Sequence, residues 1–132
     1  MIVLDASATT ALLLNQPAAP LIAGALGGHR LAGPELLGVE LLSILRGWVR
    51  GRSLDVLRAQ EALVDLEDLG LAWYPERPLL RLAWGFRDNA SAYDAIYLAL
   101  AEVLTEPGRP VKVLTLDRRL ERAFPERTIL PG

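Results

Sequence analysis

The sequence has no cysteine and only one histidine, His29. Without cysteine there is no disulfide, no thiolate nucleophile and no cysteine-ligated metal. The chain therefore suits a reducing compartment, and a cytoplasmic location is expected. A single histidine argues against a histidine zinc site and against a Ser-His-Asp triad. His29 is read as a strand or loop residue without a catalytic role. Lysine is almost absent too: Lys112 stands alone beside 13 arginines. GC-rich coding accounts for such a bias, and so does a need for the planar, phosphate-gripping guanidinium. No apolar run reaches the roughly 18 to 20 residues of a membrane span, so no membrane association is expected. The chain opens directly on "MIVLD" with no basic stretch before it, and no signal peptide is expected. The net charge of −2 does not by itself indicate a nucleic-acid binder.

What is present is an apolar-rich chain of 132 residues, 52% hydrophobic, enough for one domain over 1–132 with a real core. "MIVL" (1–4) reads as a buried strand, and "SATTALLLN" (7–15) as a helix with Ser7 as its N-cap. Pro17 and Pro20 open a second helix that ends at Gly27-Gly28, and "HRLAG" (29–33) is a short strand. Pro34 opens a long helix to about Gly51, and Ser53 caps the next, which runs to Gly70. "LAWYP" (71–75) is a strand and 77–86 a helix. Ser91 caps a helix over 92–105, "VKVLTL" (111–116) is a strand, a helical turn follows Asp117, and "TIL" (128–130) is a last strand. Strands alternating with helices predict an α/β fold, a central parallel sheet with helices on both faces. Ligands then bind beyond the carboxyl ends of the strands, where strand order reverses.

Four acids stand where acids are costly. Asp5 follows the first strand and Asp117 the strand 111–116, so a parallel sheet puts both on one edge. Each alone reads equally well as a helix cap. Asp94 is the only charge between Ala92 and Ala101, in a helix that is otherwise apolar nearly all round. A first-turn acid complements the helix dipole, which explains its position but not its burial. Glu40 lies in "PELLGVELLSILRG" (34–47). At about 100° per residue it falls between Leu36 and Ile44, inside the apolar stripe. Arg46, six residues away, is off to the side. Four carboxylates converging without lysine partners repel and raise one another's pKa values. A divalent cation resolves this, and hard oxygen ligands suit Mg²⁺ or Mn²⁺. Such a site is suited to phosphodiester cleavage.

At these residues the chain resembles the PIN-domain family, more narrowly the VapC-type toxin ribonucleases. The matching stretches are "IVLDASA" (2–8), "PELLGVELLSILRG" (34–47), "YDAIYLALAE" (93–102) and "VLTLDRRL" (113–120), in the family's order and approximate spacing. The resemblance implies a three-layer PIN-like fold. It carries catalytic, metal-binding roles onto Asp5, Glu40, Asp94 and Asp117, with Mg²⁺ or Mn²⁺ activating a water that cleaves RNA. Ser7 and Thr115 match the small hydroxyl positions beside the first and last acids, where they orient carboxylates or metal-bound water. A VapB-type antitoxin partner and a homodimer are implied as well. Independently, Leu54, Val56, Leu57 and Leu63 give the helix after Ser53 an apolar face with room for a docking groove.

Arg46, Arg50, Arg52, Arg118, Arg119 and Arg122 are candidate phosphate contacts. Asn89 is read as a loop cap, and the aromatic residues as core. A haloacid-dehalogenase-like phosphatase would need a second Asp where Ser7 stands and a late catalytic lysine. A receiver domain would need a lysine where "TLDRR" supplies Asp117. The remaining alternative is a catalytically silent PIN-fold scaffold or antitoxin-binding module.

Overall fold

The structure is a computed structural model that describes residues 1–132. Five short strands form one sheet: β1 (Ile2–Leu4), β2 (Leu31–Pro34), β3 (Ala72–Tyr74), β4 (Lys112–Leu114) and β5 (Thr128–Ile129). Their order is β3-β2-β1-β4-β5, and every pairing is parallel. The expected parallel sheet between helical layers is present. The chain winds outward through β2 and β3, then returns to lay β4 on the other side of β1. Strand order therefore reverses between β1 and β4, and this is the switch point at which open α/β sheets bind ligands.

Seven α-helices connect the strands: α1 (Ala6–Leu13), α2 (Ala19–Leu26), α3 (Leu36–Arg50), α4 (Val56–Asp68), α5 (Leu80–Trp84), α6 (Ala92–Leu104) and α7 (Arg118–Ala123). Helix α6 packs on β1, β2, β4 and α5, while α1 packs on α2, α3 and α4. All seven residues from Ala95 to Ala101 are buried, as the nearly uniform apolarity of that segment predicts. Leu4, Leu37, Leu41, Leu98, Leu100 and Leu114 are among the largest fully buried side chains. They join the sheet to α3 and α6. Arg58 of α4 donates to the Leu13 carbonyl at the end of α1, satisfying a carbonyl that the helix leaves open. No helix is long and apolar enough to cross a membrane.

Several local boundaries differ from the sequence reading. Asp5, not Ser7, caps α1: its carboxylate accepts from Ala8 N at 2.9 Å. Asp55, not Ser53, caps α4 through Leu57 N. The helix expected over 77–86 is a 3-10 turn at Arg77–Leu79 followed by the short α5. Pro34 ends β2 rather than opening α3. Gly33 is tight for a reason: a Cβ there would come within 3.0 Å of the Leu37 side chain, which packs α3 onto β2.

Helix α3 has no cap of its own, because Glu35 lies in the helical region without a capping side-chain bond. The cap comes from elsewhere in the chain. The Glu76 carboxylate, just past β3, accepts from Leu36 N, and Glu35 N donates to the Tyr74 carbonyl at 2.8 Å. The start of α3, one turn before Glu40, is thus tied to the end of β3. Glu76→Ala should lower stability by about 1 kcal/mol, the usual cost of a lost N-cap. Glu76→Gln, which keeps an acceptor oxygen, should retain most of it. Urea unfolding midpoints check this, and an unchanged midpoint in Glu76→Ala would remove the cap from the account.

Candidate functional site

The carboxyl ends of β1 and β4 lie side by side, with Leu4 paired to Leu114 and Asp5 N donating to the Leu114 carbonyl at 3.2 Å. Asp5 is only 6% exposed. Its Oδ1 accepts from Ser7 Oγ at 2.6 Å and from Ala8 N at 2.9 Å. Both bonds fall on one oxygen and leave Oδ2 outside them. Ser7 Oγ in turn accepts from Leu116 N at 3.0 Å and lies 3.4 Å from Thr115 Oγ1. Thr115 Oγ1 accepts from Asp117 N at 3.0 Å. The two hydroxyls therefore lace the residues after β4 to the start of α1 and set the approach of Asp117 to Asp5. Asp117 lies three residues beyond β4, because the strand is shorter than the apolar run that contains it. It is exposed and caps α7, its Oδ1 accepting from Arg119 N and Leu120 N.

Glu40 is half-buried on α3. Its neighbours on the wheel, Leu36 and Ile44, are half-buried too, whereas Leu37, Leu41 and Leu45 form the core-facing stripe. Glu40 thus sits at the margin of the packed face. Its Oε1 accepts from Tyr97 Oη at 2.7 Å. Tyr97 is 1% exposed on α6, one turn after Asp94. Asp94 is half-buried in the first turn of α6, whose N-cap is Ser91 as the sequence suggests.

The electrostatics show that these acids share a field. Burial is the leading cause raising the Asp5 carboxyl above its usual value; bonds from Ala8, Ser7 and Thr115 oppose the rise, and the Asp94 charge adds to it. Burial also raises Glu40, opposed by the Tyr97 hydroxyl and reinforced by Asp94 and Asp5. Burial raises Asp94, with Ser91 and Arg119 opposing and Asp117 reinforcing. Burial and Glu40 push the Tyr97 phenol upward, so it remains a neutral donor. The chain of influence runs from Glu40 through Asp5 and Asp94 to Asp117. None of the four is in an ion pair, the three salt bridges lying on α4 and between Arg127 and Glu102.

No three acid or histidine side chains are drawn together tightly enough to chelate an ion directly. The donor set is nonetheless all hard oxygen, and none of the four has a basic group within salt-bridge distance. That chemistry fits Mg²⁺, which keeps several waters and binds through few carboxylates. On this ground the residues present suit a hydrated divalent ion.

A cleft of about 490 Å³ opens beside Asp94 and Asp117. Its other walls include Arg87, Asn89, Ser91 and Arg119. Of the candidate arginines, Arg119 is in this cleft, and Arg118 and Arg122 are exposed on the same short helix. The structure does not bring Arg46, Arg50 and Arg52 to the acids. Arg46 and Arg50 lie about 9 and 15 Å along α3 from Glu40 and line a groove between α3 and α4. Arg52 is in the following turn, in the left-handed region at φ 61°. The sequence reading missed Tyr97 and Arg87. Tyr97 had a signal, since it lies three residues after Asp94 and so on a neighbouring strip of the same helix. Nothing in the sequence marked Arg87.

A PIN-domain family model matches residues 2–124. Ribonuclease VapC9 of Mycobacterium tuberculosis is 38% identical over 120 residues, covering 91% of this chain and 88% of that protein. Ribonuclease VapC12 of the same species is 31% identical over 123 residues, covering 93% and 92%. PAE2754 from Pyrobaculum aerophilum, known from a crystal structure, is similar in fold: its TM-score is 0.70 at 23% identity, over 96% of this chain and 81% of that one. With the four motifs in order, acids at the β1/β4 switch point and this match over nearly its whole length, the chain belongs to the PIN-domain family, in its VapC branch.

Proposed function

We propose that this protein is a metal-dependent endoribonuclease, the toxin of a VapBC-type toxin–antitoxin pair. The observation that carries the reading is the set of four carboxylates, mutually repelling and without ion-pair partners, at the sheet's switch point. The ribonuclease names of its relatives support the activity and the substrate class. Asp5, Glu40, Asp94 and Asp117 would hold Mg²⁺ or Mn²⁺. The bound ion supplies Lewis-acid polarisation of a phosphoryl oxygen and a lowered pKa for water.

The protein's own part is positioning. Ser7 and the Ala8 N–H hold one oxygen of Asp5, Tyr97 holds one oxygen of Glu40, and the start of α7 holds one oxygen of Asp117. In each case the bonds named fall on a single oxygen. Thr115 sets Asp117 relative to Asp5 through Asp117 N. Burial raises the Glu40 carboxyl above its ordinary value, which supports a role in receiving the proton that attacking water gives up. Arg119 lines the cleft beside Asp94 and Asp117, which supports a contact with substrate phosphate.

A VapB-type antitoxin is the proposed partner, and a homodimer the proposed assembly. The groove between α3 and α4, with Leu42 and Val56 more than half exposed beside Arg46 and Arg50, supports a protein-binding surface.

Purified protein freed of antitoxin should cleave RNA only with Mg²⁺ or Mn²⁺. Asp5→Asn and Glu40→Gln should each lower the rate by about a hundredfold or more. If wild type neither cleaves RNA nor binds either metal, the reading reverts to a silent PIN scaffold. Sequencing of RNA ends after induced expression identifies the site cut.

A second prediction follows from repulsion. The raised pKa values of Asp5, Glu40 and Asp94 mean that folding takes up protons above the ordinary carboxylate range. The stability these groups contribute is greatest in acid and is lost as pH rises through the raised values. In chelator at neutral pH, Asp94→Asn should therefore raise the thermal midpoint while abolishing activity. Mn²⁺ should stabilise the wild type much more than the variant. A midpoint lowered by Asp94→Asn in chelator would show that the carboxylate is a structural asset instead.

A further inference from the structure

Resting on the ribonuclease reading, we propose that Arg87, Arg119 and Trp84 form a subsite for the nucleotide beside the scissile bond of single-stranded RNA. Arg87 and Arg119 take the phosphate and Trp84 takes the base.

Trp84 ends α5 and is 68% exposed, an unusual setting for the largest apolar side chain. The Arg87 guanidinium lies 5.0 Å over its ring, and Arg87 Nη1 donates to the Trp84 carbonyl at 3.1 Å. Arg87 has no carboxylate partner within salt-bridge distance, and neither has Arg119. Arg87 lines two adjoining spaces. One is the polar cleft that it shares with Asp94, Asp117 and Arg119. The other is an apolar groove of about 460 Å³ that includes Trp84. A single side chain thus joins a charged space beside the acids to an aromatic surface just beyond them.

The segment between α5 and α6 is held in place. Phe86 meets Phe124, just past α7, edge to face at 5.6 Å, and Ala90 N donates to the Phe86 carbonyl at 3.0 Å. The Arg87 guanidinium, held by Trp84, and that of Arg119 on the same cleft wall suit a phosphate, since arginine binds it through a planar fork. An indole next to a phosphate site suits a base, because every base offers a stacking face. Only an unpaired base can present that face, so the subsite selects single-stranded over duplex RNA. The carboxylates alone would repel the backbone, and the two arginines supply the counter-charge on their far side.

The test uses the full chain carrying Asp5→Asn, in Mg²⁺, with a fluorescein-labelled RNA decamer as probe. Single-stranded decamer should bind and quench tryptophan fluorescence; the duplex form should bind at least several-fold more weakly. Adding Trp84→Ala should weaken binding on the order of tenfold and remove the quench, while Trp84→Phe retains most affinity. Arg87→Ala and Arg119→Ala should each flatten the dependence of log affinity on log salt by about 0.7. Unchanged unfolding midpoints exclude misfolding as the cause. Equal affinity in Trp84→Ala, equal binding of duplex, or unaltered salt slopes would overturn the subsite. So would a Trp84→Ala variant that binds RNA normally but loses its antitoxin, because the surface would then serve a protein. If the Asp5-intact chain cuts RNA and Trp84→Ala cuts it with the same KM, the subsite fails and the nuclease reading stands. If the Asp5-intact chain cuts no RNA in either metal, it is the nuclease reading that fails.

Discussion

Repulsion among four carboxylates is the constraint around which this end of the molecule is built. Left to themselves, Asp5, Glu40, Asp94 and Asp117 would splay apart, and burial with mutual repulsion raises the pKa of the first three. Neutral donors hold three of them in place: the Ser7 hydroxyl and Ala8 N–H on Asp5, Tyr97 on Glu40, and the first turn of α7 on Asp117, while Ser91 caps the helix that carries Asp94 by accepting from Asp94 N. None of these donors brings positive charge into the space between the acids. Arg119 offsets part of the charge at Asp94 from the cleft wall, and the repulsion that remains among the acids is the condition a divalent cation can exploit.

The sheet makes that arrangement possible. Because strand order reverses between β1 and β4, Asp5 and the segment carrying Asp117 leave the sheet side by side. Helices α3 and α6 bring Glu40 and Asp94 from separate parts of the chain to the same edge. The fully buried Tyr97 crosses between them. It is at once a core residue and the tether of Glu40, so packing and electrostatics meet in one side chain. The tie from Glu76 to the start of α3 works at longer range, fixing the helix that presents Glu40.

Much of this was legible in the sequence, and the legible part has a physical signature. Apolar runs ending in Asp, and acids inside apolar helical faces, are costly placements visible without coordinates. The alternation of strands and helices announced the parallel sheet. What could not be read was contact between distant segments. Ser7 looked like a cap because local capping rules cannot tell which of two nearby polar residues the backbone turns on; Asp5 does the capping and Ser7 bridges to Leu116. The cap supplied by Glu76 and the bond from Tyr97 span 40 and 57 positions, beyond any local pattern. The aromatic residues were expected in the core, yet Trp84 and Tyr93 are 68% and 60% exposed. Composition predicts burial on average and says little about which aromatic residue stays outside. Arg46, Arg50 and Arg52 clustered in sequence near Glu40, but a helix of 15 residues carries its two ends about 21 Å apart.

The most direct test of the shared carboxylate field is calorimetric titration of the metal-free protein with Mn²⁺ at mildly acid pH, in buffers of differing ionisation enthalpy. The account predicts saturable binding accompanied by net proton release, since the ion displaces protons from carboxyls whose pKa values are raised in its absence. Absence of saturable binding, or binding with no proton released, would contradict it.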